Sequence, residues 1–256
     1  METPLFSLYG FDWRVGRHWG IAHPDHICYN SADTITVDNN MIHLGIKHEP
    51  KEIVVDGVPQ LYPYSVGYVS SINTIKYGHL TVDFKLPIGM HLWPAIWLTD
   101  VKTWPPELDI MEAWSGEYEW CSSSPKSPSK IYRVNWLANK IYPGVVLGTC
   151  VDEKHGKSYR VFRGSPACYL KTDKTNRCEL DWTEDRIQVW YNGHRVVNES
   201  DPDVLKYFNG SEGMEIHLNN YVTNSFRNED LKEMGDKQLK GYTSDFQILN
   251  LVYEKN

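Results

Sequence analysis

Several features that mark other protein classes are missing from this 256-residue chain. No window approaches 18 consecutive apolar residues, which excludes a membrane-spanning helix. Residues 1–6 contain no basic region followed by an apolar run, so we expect no signal peptide in this sequence. The net charge of −7 at pH 7 argues against nucleic acid as a partner.

Metal and redox motifs are also missing. The five Cys include no C-x-x-C pair and the ten His include no H-x-x-x-H pair, so we predict neither a metal catalyst nor a required cofactor. Because five is an odd number, at least one thiol is free. A Cys168–Cys178 bridge would close a short polar loop, and the pairing stays open.

Helical periodicity is scarce, and residues 229–240 form the only helix that the pattern predicts. Short apolar runs instead alternate with turn residues every 8–12 positions, which is typical of a β-sandwich or jelly roll. The residues at 38–40, 56–57 and 192–193 predict hairpin turns. The run 64–74 predicts one strand. With no repeat or linker in view, we expect a single domain over 1–256.

Aromatic residues are plentiful: the chain has 10 Trp, 16 Tyr and 7 Phe. Trp and Tyr present flat faces with one polar atom, and sugar rings stack on such faces. Most of these residues must fill an ordinary β core.

Three acids lie within six residues, at Glu107, Asp109 and Glu112. Residues two apart on a strand face the same way, so Glu107 and Asp109 point together and Glu112 should point to the opposite face. One extra residue at Ile110 or Met111, inserted as a β-bulge, would return Glu112 to the same face. By themselves, three such acids also fit a solvated strand or a calcium site.

Paired carboxyl groups are the usual equipment for glycoside hydrolysis. An ionised carboxylate attacks the anomeric carbon, and a protonated carboxyl group donates to the leaving oxygen. Two acids held close together have pKa values that are pushed apart, which supplies one group in each state. A third acid between them can hold the nucleophile by a hydrogen bond.

These residues carry a resemblance. The sequence Glu-Leu-Asp-Ile-Met-Glu at 107–112, preceded by Leu-Trp-Pro-Ala-Ile-Trp-Leu at 92–98, resembles the bulged-strand branch of glycoside hydrolase family 16, which includes laminarinases, agarases, porphyranases and κ-carrageenases. The segments 77–87, 181–193 and 245–253 are similar to further family strands. The resemblance implies an all-β, concanavalin-like jelly roll with an open concave cleft, and retaining endo-hydrolysis of a β-linked polysaccharide.

The resemblance also implies roles for single residues. It makes Glu107 the nucleophile, Asp109 the nucleophile's partner and Glu112 the acid/base. Trp93 matches a tryptophan near the cleavage point, although a core position is the alternative. Trp97 could face the core or the cleft equally well.

Other candidate substrate contacts are suggested by their positions in the sequence relative to the three acids. Trp114 lies two residues after Glu112, so the two side chains should share a face. Trp136 and Trp104 are weaker candidates. Asn135 stands where many family members carry a His, and Pro106 replaces a common Gly; both departures bear on the substrate more than on the reaction.

The segment 154–177 has seven Lys or Arg residues and one acid. Charge runs of this kind are usually solvated loops, and the alternative is a loop that recognises sulfated or uronic sugars. The substrate predicted first is a β-1,3- or mixed-linkage glucan, and an agar-, porphyran- or carrageenan-type galactan is the second choice. A non-catalytic carbohydrate-binding jelly roll is the alternative from another class.

The resemblance implies a secreted, extracellular or periplasmic protein. It also allows a structural calcium ion on the outer sheet, for which the sequence assigns no ligands. We expect a monomer whose partner is a polysaccharide.

Overall fold

The computed structural model of the chain describes residues 4–17, 20–103, 106–115, 132–134, 170–171, 174–238 and 244–256. For residues 114–115, 132–134 and 236–238 it describes the backbone alone. The strands, numbered β1 to β17, are Phe6–Leu8, Phe11–Val15, Cys28–Asn30, Ile35–Asp38, Met41–Leu44, Ile46–Val55, Val58–Val66, Tyr68–Ile75, Gly78–Lys85, Leu92–Asp100, Glu107–Ser115, Tyr132–Val134, Asn176–Trp182, Ile187–Tyr191, His194–Glu199, Met214–Val222 and Phe246–Glu254.

These strands form two seven-stranded sheets and a smaller one. The first sheet has the order β1-β2-β8-β16-β10-β11-β12, and the second has the order β15-β14-β13-β9-β17-β5-β4. A three-stranded sheet, β3-β7-β6, contains the only parallel pair among the described strands, β3 with β7. The two large sheets sandwich one apolar core, as the jelly-roll prediction requires.

Alternation along the strands builds this core. On β9, Leu80, Val82 and Phe84 are buried, while the intervening side chains are partly exposed. On β10, Ile96 and Leu98 join the same core from the first sheet. The odd-numbered residues of β10 therefore point to the other face of the first sheet, and that face carries the candidate site.

The predicted hairpin turns are confirmed by the backbone. Positive φ angles of 49° and 59° occur at Asn39 and Asn40, and of 52° and 79° at Asp56 and Gly57. The segment 192–193 turns in the same way, with φ angles of 49° and 81°. Two consecutive positive φ angles define the tight turn whose twist matches antiparallel strands.

The run 64–74 is two strands, so the prediction of one strand was wrong. Strand β7 ends at Val66 in the small sheet, and β8 begins at Tyr68 in the first sheet. Gly67 makes the crossing, since a Cβ there would lie 2.7 Å from Leu44 Cα. A larger side chain does not fit where the chain passes this close to another strand.

The chain has two described α-helices, whereas the sequence predicted one. The predicted helix is α2, Asn228–Gln238. The helix missed by sequence reasoning is α1, Pro202–Gly210, which buries Val204, Leu205 and Phe208 against the main core. Its start signals were readable: Asp201 accepts a hydrogen bond from Asp203 N as N-cap, and Pro202 follows. No described helix is long and apolar enough to cross a membrane.

Two cysteines, Cys28 and Cys178, lie in the described ranges as buried free thiols. Burial raises the pKa of Cys28 to about 12 and raises that of Cys178 further, so neither is a reactive thiolate at neutral pH. The other three cysteines lie outside the described residues.

Candidate active site

A β-bulge at Ile110 decides which way the acids point. On the neighbouring strand β10, Ile96 lies opposite Met111, and the next residue, Trp97, lies opposite Asp109. Ile110 therefore has no partner and is the extra residue of the bulge. The sequence-based prediction of a bulge at Ile110 or Met111 is confirmed.

The bulge sends two consecutive side chains into the core. Ile110 and Met111 are 1% and 0% exposed, and both belong to the main apolar core. Glu107, Asp109 and Glu112 consequently lie on the opposite face, with Glu107 and Glu112 partly exposed and Asp109 buried. The bulged strand thus presents three acids in a row along one face of the sheet.

The middle acid, Asp109, differs electrostatically from an ordinary aspartate. It is 4% exposed, and one of its oxygens, Oδ2, has no hydrogen-bond partner among the described residues. Burial raises the pKa of Asp109 well above its usual range, and the charges of Glu112 and Glu107 and a hydrogen bond with Glu107 act in the same direction. Asp109 therefore keeps its proton to a higher pH than an ordinary aspartate, and in that form it can donate a hydrogen bond to Glu107.

Trp93 contacts the acid at the other end of the row. Its indole Nε1 donates a hydrogen bond of 2.6 Å to Glu112 Oε1. This bond fixes the orientation of the Glu112 carboxyl group. Trp93 is half-buried on the cleft face, so its predicted position beside the acids is correct.

Trp97 also faces the cleft, which decides the question that the sequence left open. Its Nε1 donates to Asn219 Oδ1 at 2.7 Å, and Asn219 Nδ2 donates to the Trp93 backbone oxygen at 3.2 Å. Its ring lies 4.4 Å from the ring of His217, measured between centroids. Trp97 thus forms part of the floor of the site, which is the sheet surface around the acids. It lies beside Asp109, its partner in the strand register.

His26 completes an aromatic corner at the Trp93 end of the site. Its ring stands edge-on to Trp93 at 5.8 Å and to Tyr221 at 5.3 Å. Burial lowers the pKa of His26 to about 4, with His23 acting in the same direction. The ring is therefore neutral at neutral pH and can both donate and accept hydrogen bonds with a sugar.

A polar network continues from the acids across the floor. His217 Nε2 lies 2.8 Å from Thr99 Oγ1, and His217 Nδ1 lies 3.1 Å from the Tyr68 hydroxyl. Beyond them, Arg14 Nη2 pairs with Glu215 Oε1 at 2.5 Å, both buried. A floor so rich in polar side chains is unlike a packing surface and suits a ligand with many hydroxyl groups.

Arg17 approaches this floor from the loop after β2. Its Nη2 donates to Thr99 Oγ1 at 2.8 Å, and its guanidinium carbon lies 4.7 Å from the centre of the Trp97 ring. Burial lowers the pKa of Arg17, while Tyr68 and Glu107 act in the opposite direction. The guanidinium group still carries a charge at any working pH.

Some predicted site residues are not placed by the structure. The backbone of Trp114 lies on β11, opposite Arg133 of β12, and its side chain is outside the description. Asn135, Trp136 and Trp104 lie outside the described residues. Of the basic residues in the segment 154–177, the structure describes Lys171, Lys174 and Arg177. Arg177 forms a bidentate pair with Asp83 on the second sheet, at 2.7 and 2.8 Å.

Sequence reasoning missed the polar residues of β16 and of the loop after β2. Glu215, His217 and Asn219 occupy every second position of one strand, and that alternation could have marked them as a polar face. Arg17 and His26 had no such signal. They belong to an irregular loop, and only the folding of that loop over the sheet brings them to the acids.

Fold and site together define a class: a concanavalin-like jelly roll with a bulged, three-acid strand on its polar face. This is the arrangement implied by glycoside hydrolase family 16, and comparison with known proteins confirms that resemblance.

No family model matches the chain. A galactan endo-β-1,3-galactanase from Flammulina velutipes is 28% identical over 155 residues, which is 57% of this chain and 55% of that protein. The chain spans about half the length of this curated relative.

Solved structures share the fold. The laminarinase catalytic domain from Thermotoga maritima has a TM-score of 0.59 at 16% identity, covering 95% of this chain and 91% of that one. Porphyranase B from Zobellia galactanivorans has a TM-score of 0.60 at 16% identity, covering 95% and 85%. At such low identity these likenesses establish the jelly-roll fold.

Proposed function

We propose that the protein is a retaining endo-β-glycosidase that cleaves a β-linked polysaccharide. The observation that carries this function is the bulge at Ile110, which places Glu107, Asp109 and Glu112 on one face of the sheet. A fold needs no bulge to keep three acids in water. Here the bulge brings the proposed nucleophile and the proposed proton donor to one face.

Each acid has a step in the proposed reaction. Glu107, as carboxylate, attacks the anomeric carbon, while Glu112 gives its proton to the glycosidic oxygen and the bond to the leaving sugar breaks. Glu112, now ionised, then takes a proton from water, which attacks the same carbon and releases Glu107. Protonated Asp109 donates to Glu107 and so holds the carboxylate in position.

The substrate that we place first is a β-1,3- or mixed-linkage glucan. The Leu-Trp-Pro-Ala-Ile-Trp-Leu segment at 92–98 supports it through its resemblance to laminarinases, as does the jelly roll shared with the Thermotoga maritima laminarinase. A β-linked galactan is the second candidate. Its support comes from the matches to a β-1,3-galactanase in sequence and to a porphyranase in fold.

Reducing-sugar release from laminarin, lichenan, agarose, porphyran and carrageenan tests the function and separates the two candidates. Release of oligosaccharides from laminarin or lichenan supports the glucan, and release from the other three supports the galactan. NMR of the first product anomer tests retention, since a retaining enzyme releases the β-anomer from a β-linkage. Release from none of the five would contradict both substrates. The calcium ion and the monomeric state stay predictions.

A further inference from the structure

Arg17 is a fixed cation rather than a freely moving surface side chain. Its backbone forms an isolated β-bridge with Gly20, which has a φ of 133°. Its guanidinium group donates to Thr99 Oγ1 and stacks over Trp97. An arginine held by a hydrogen bond and by an aromatic face has a defined direction for its charge.

The strand register places that charge beside Glu107. Thr99, the hydrogen-bond partner of Arg17, lies directly opposite Glu107, and Trp97 lies directly opposite Asp109. Directly opposed side chains on one face stand about 4.5–5.5 Å apart at Cβ. The guanidinium group therefore sits above the two cross-strand pairs that contain the proposed nucleophile and its partner.

Among the described side chains of the floor, Arg14 and Asp109 are the two to compare with Arg17. Arg14, the other cation of the floor, is engaged by Glu215 at 2.5 Å. Asp109, whose raised pKa favours its neutral form, adds no positive charge to the site. Among the described side chains, the titratable and charged groups around Glu107 and the acids beside it are Asp109 and Glu112 on β11, Glu215, His217 and Tyr221 on β16, Tyr68 on β8, Arg14 on β2, Arg17, and Tyr191 of β14 from the core side.

We propose that Arg17 is a positioning residue whose charge keeps the Glu107 carboxylate ionised and ready to attack. Asp109 supplies a hydrogen bond to this carboxylate, and Arg17 supplies the opposite charge. The electrostatic coupling is mutual, since the negative charge of Glu107 in turn favours the charged form of Arg17. Thr99 takes part as the anchor that holds the guanidinium group over the site.

This role rests on the proposed function, in which Glu107 is the nucleophile. The competing role for a cation in a sugar cleft is recognition of a sulfate or carboxylate group on the substrate. The two roles differ in what they change. A charge that acts on Glu107 moves the acidic limb of the pH profile on any substrate, whereas a charge that binds an anion changes KM on anionic substrates.

The test compares the pH dependence of kcat/KM for the wild type, Arg17→Gln and Arg17→Lys on the polysaccharide that the wild type cleaves. The limb of kcat/KM on the acidic side reports the ionisation of the free enzyme. We expect Arg17→Gln to move this limb upward by about one pH unit, an ordinary effect of losing one nearby opposite charge. Activity well below the limb then falls about tenfold, and Arg17→Lys, which keeps the charge, stays near the wild type.

Arg195→Gln is the matched control, because Arg195 is exposed on β15 of the other sheet. The acidic limb of the pH profile of this variant should stay where it is in the wild type. Thr99→Val is a second route to the same effect, with a smaller upward shift. An unmoved limb in Arg17→Gln would overturn the role, as would a loss confined to KM on anionic substrates. A fall in thermal stability with an unmoved limb would reduce Arg17 to a structural residue.

A measurement without turnover separates this role from the proposed function. In protein labelled with ¹³C at the glutamate carboxyl carbon, the Glu107 resonance is identified by its loss in Glu107→Gln. We expect its titration midpoint to rise by about one pH unit in Arg17→Gln. If the wild type cleaves no polysaccharide, the function fails while this titration still decides whether Arg17 acts on Glu107.

Discussion

The indole N–H of Trp93 donates to Glu112 Oε1 at 2.6 Å, across two neighbouring strands. Trp97, four residues along the same strand and on the same face, donates instead to Asn219 Oδ1 at 2.7 Å. The two tryptophans of the 92–98 segment therefore donate to different groups, a carboxyl group and a side-chain amide. One fixes the proposed acid/base, and the other fixes the floor of the cleft.

This difference predicts unequal effects of the same substitution. Trp93→Phe keeps an aromatic ring and removes the hydrogen bond to a carboxyl group, which is worth about 1.5–3 kcal/mol. We expect kcat/KM to fall about 10- to 100-fold in steady-state assays. Trp97→Phe, which removes a bond between neutral groups, should cost about tenfold or less. Equal losses in the two variants would argue that Trp93 contributes as a ring surface alone.

Removing the proposed nucleophile should separate binding from catalysis. Glu107→Ser takes away the attacking carboxylate and leaves Trp93, Trp97 and His26 in place, so turnover should be lost while oligosaccharide binding persists in calorimetry. The matched control is Glu52→Ser on the exposed hairpin of β6 and β7, which should behave as the wild type. Unchanged turnover in Glu107→Ser would remove the catalytic assignment and favour a carbohydrate-binding protein.

Inserting one Ala between Met111 and Glu112 should invert the site. With one further residue, side chains after position 111 exchange faces, so Glu112 would enter the core and Ala113 would face the acids. We expect loss of activity together with a large loss of stability, because a carboxyl group would be buried without partners. Ile110→Val keeps the bulge and should retain activity, at a stability cost of about 0.5–1.5 kcal/mol in denaturant unfolding. An active insertion variant would show that alternation along β11 does not orient Glu112.

The buried acid Asp109 should make stability depend on pH. Its pKa is raised in the folded protein, so the folded state holds a proton that the unfolded chain releases above about pH 3.8. Its contribution is complete below that value and is lost as the pH rises through the raised pKa. Asp109→Asn mimics the protonated form, so its unfolding free energy should decrease less than that of the wild type between pH 4 and 8. Parallel curves in chemical denaturation would contradict a protonated Asp109.

Much of this protein could be predicted from the sequence because the signals are local. Short apolar runs between turn residues indicated the β-sandwich, and paired turn residues such as Asn39 and Asn40 located the hairpins. The spacing of Glu107, Asp109 and Glu112 required a bulge, since side-chain direction on a strand has a period of two. The same local logic failed at Gly67, where the chain changes sheets, and at α1, whose capping signals were present and not used.

The sequence by itself therefore determined the all-β fold, the three acids and the β-bulge that places them on one face. Each of these features depends on residues that are close together in the chain. Tertiary structure alone decided that Trp97 faces the cleft, that Asp109 is buried enough to keep its proton, and that Arg17 reaches Thr99 from 82 residues away. Burial and long-range contact depend on which strands become neighbours. No pattern within a single strand records that choice.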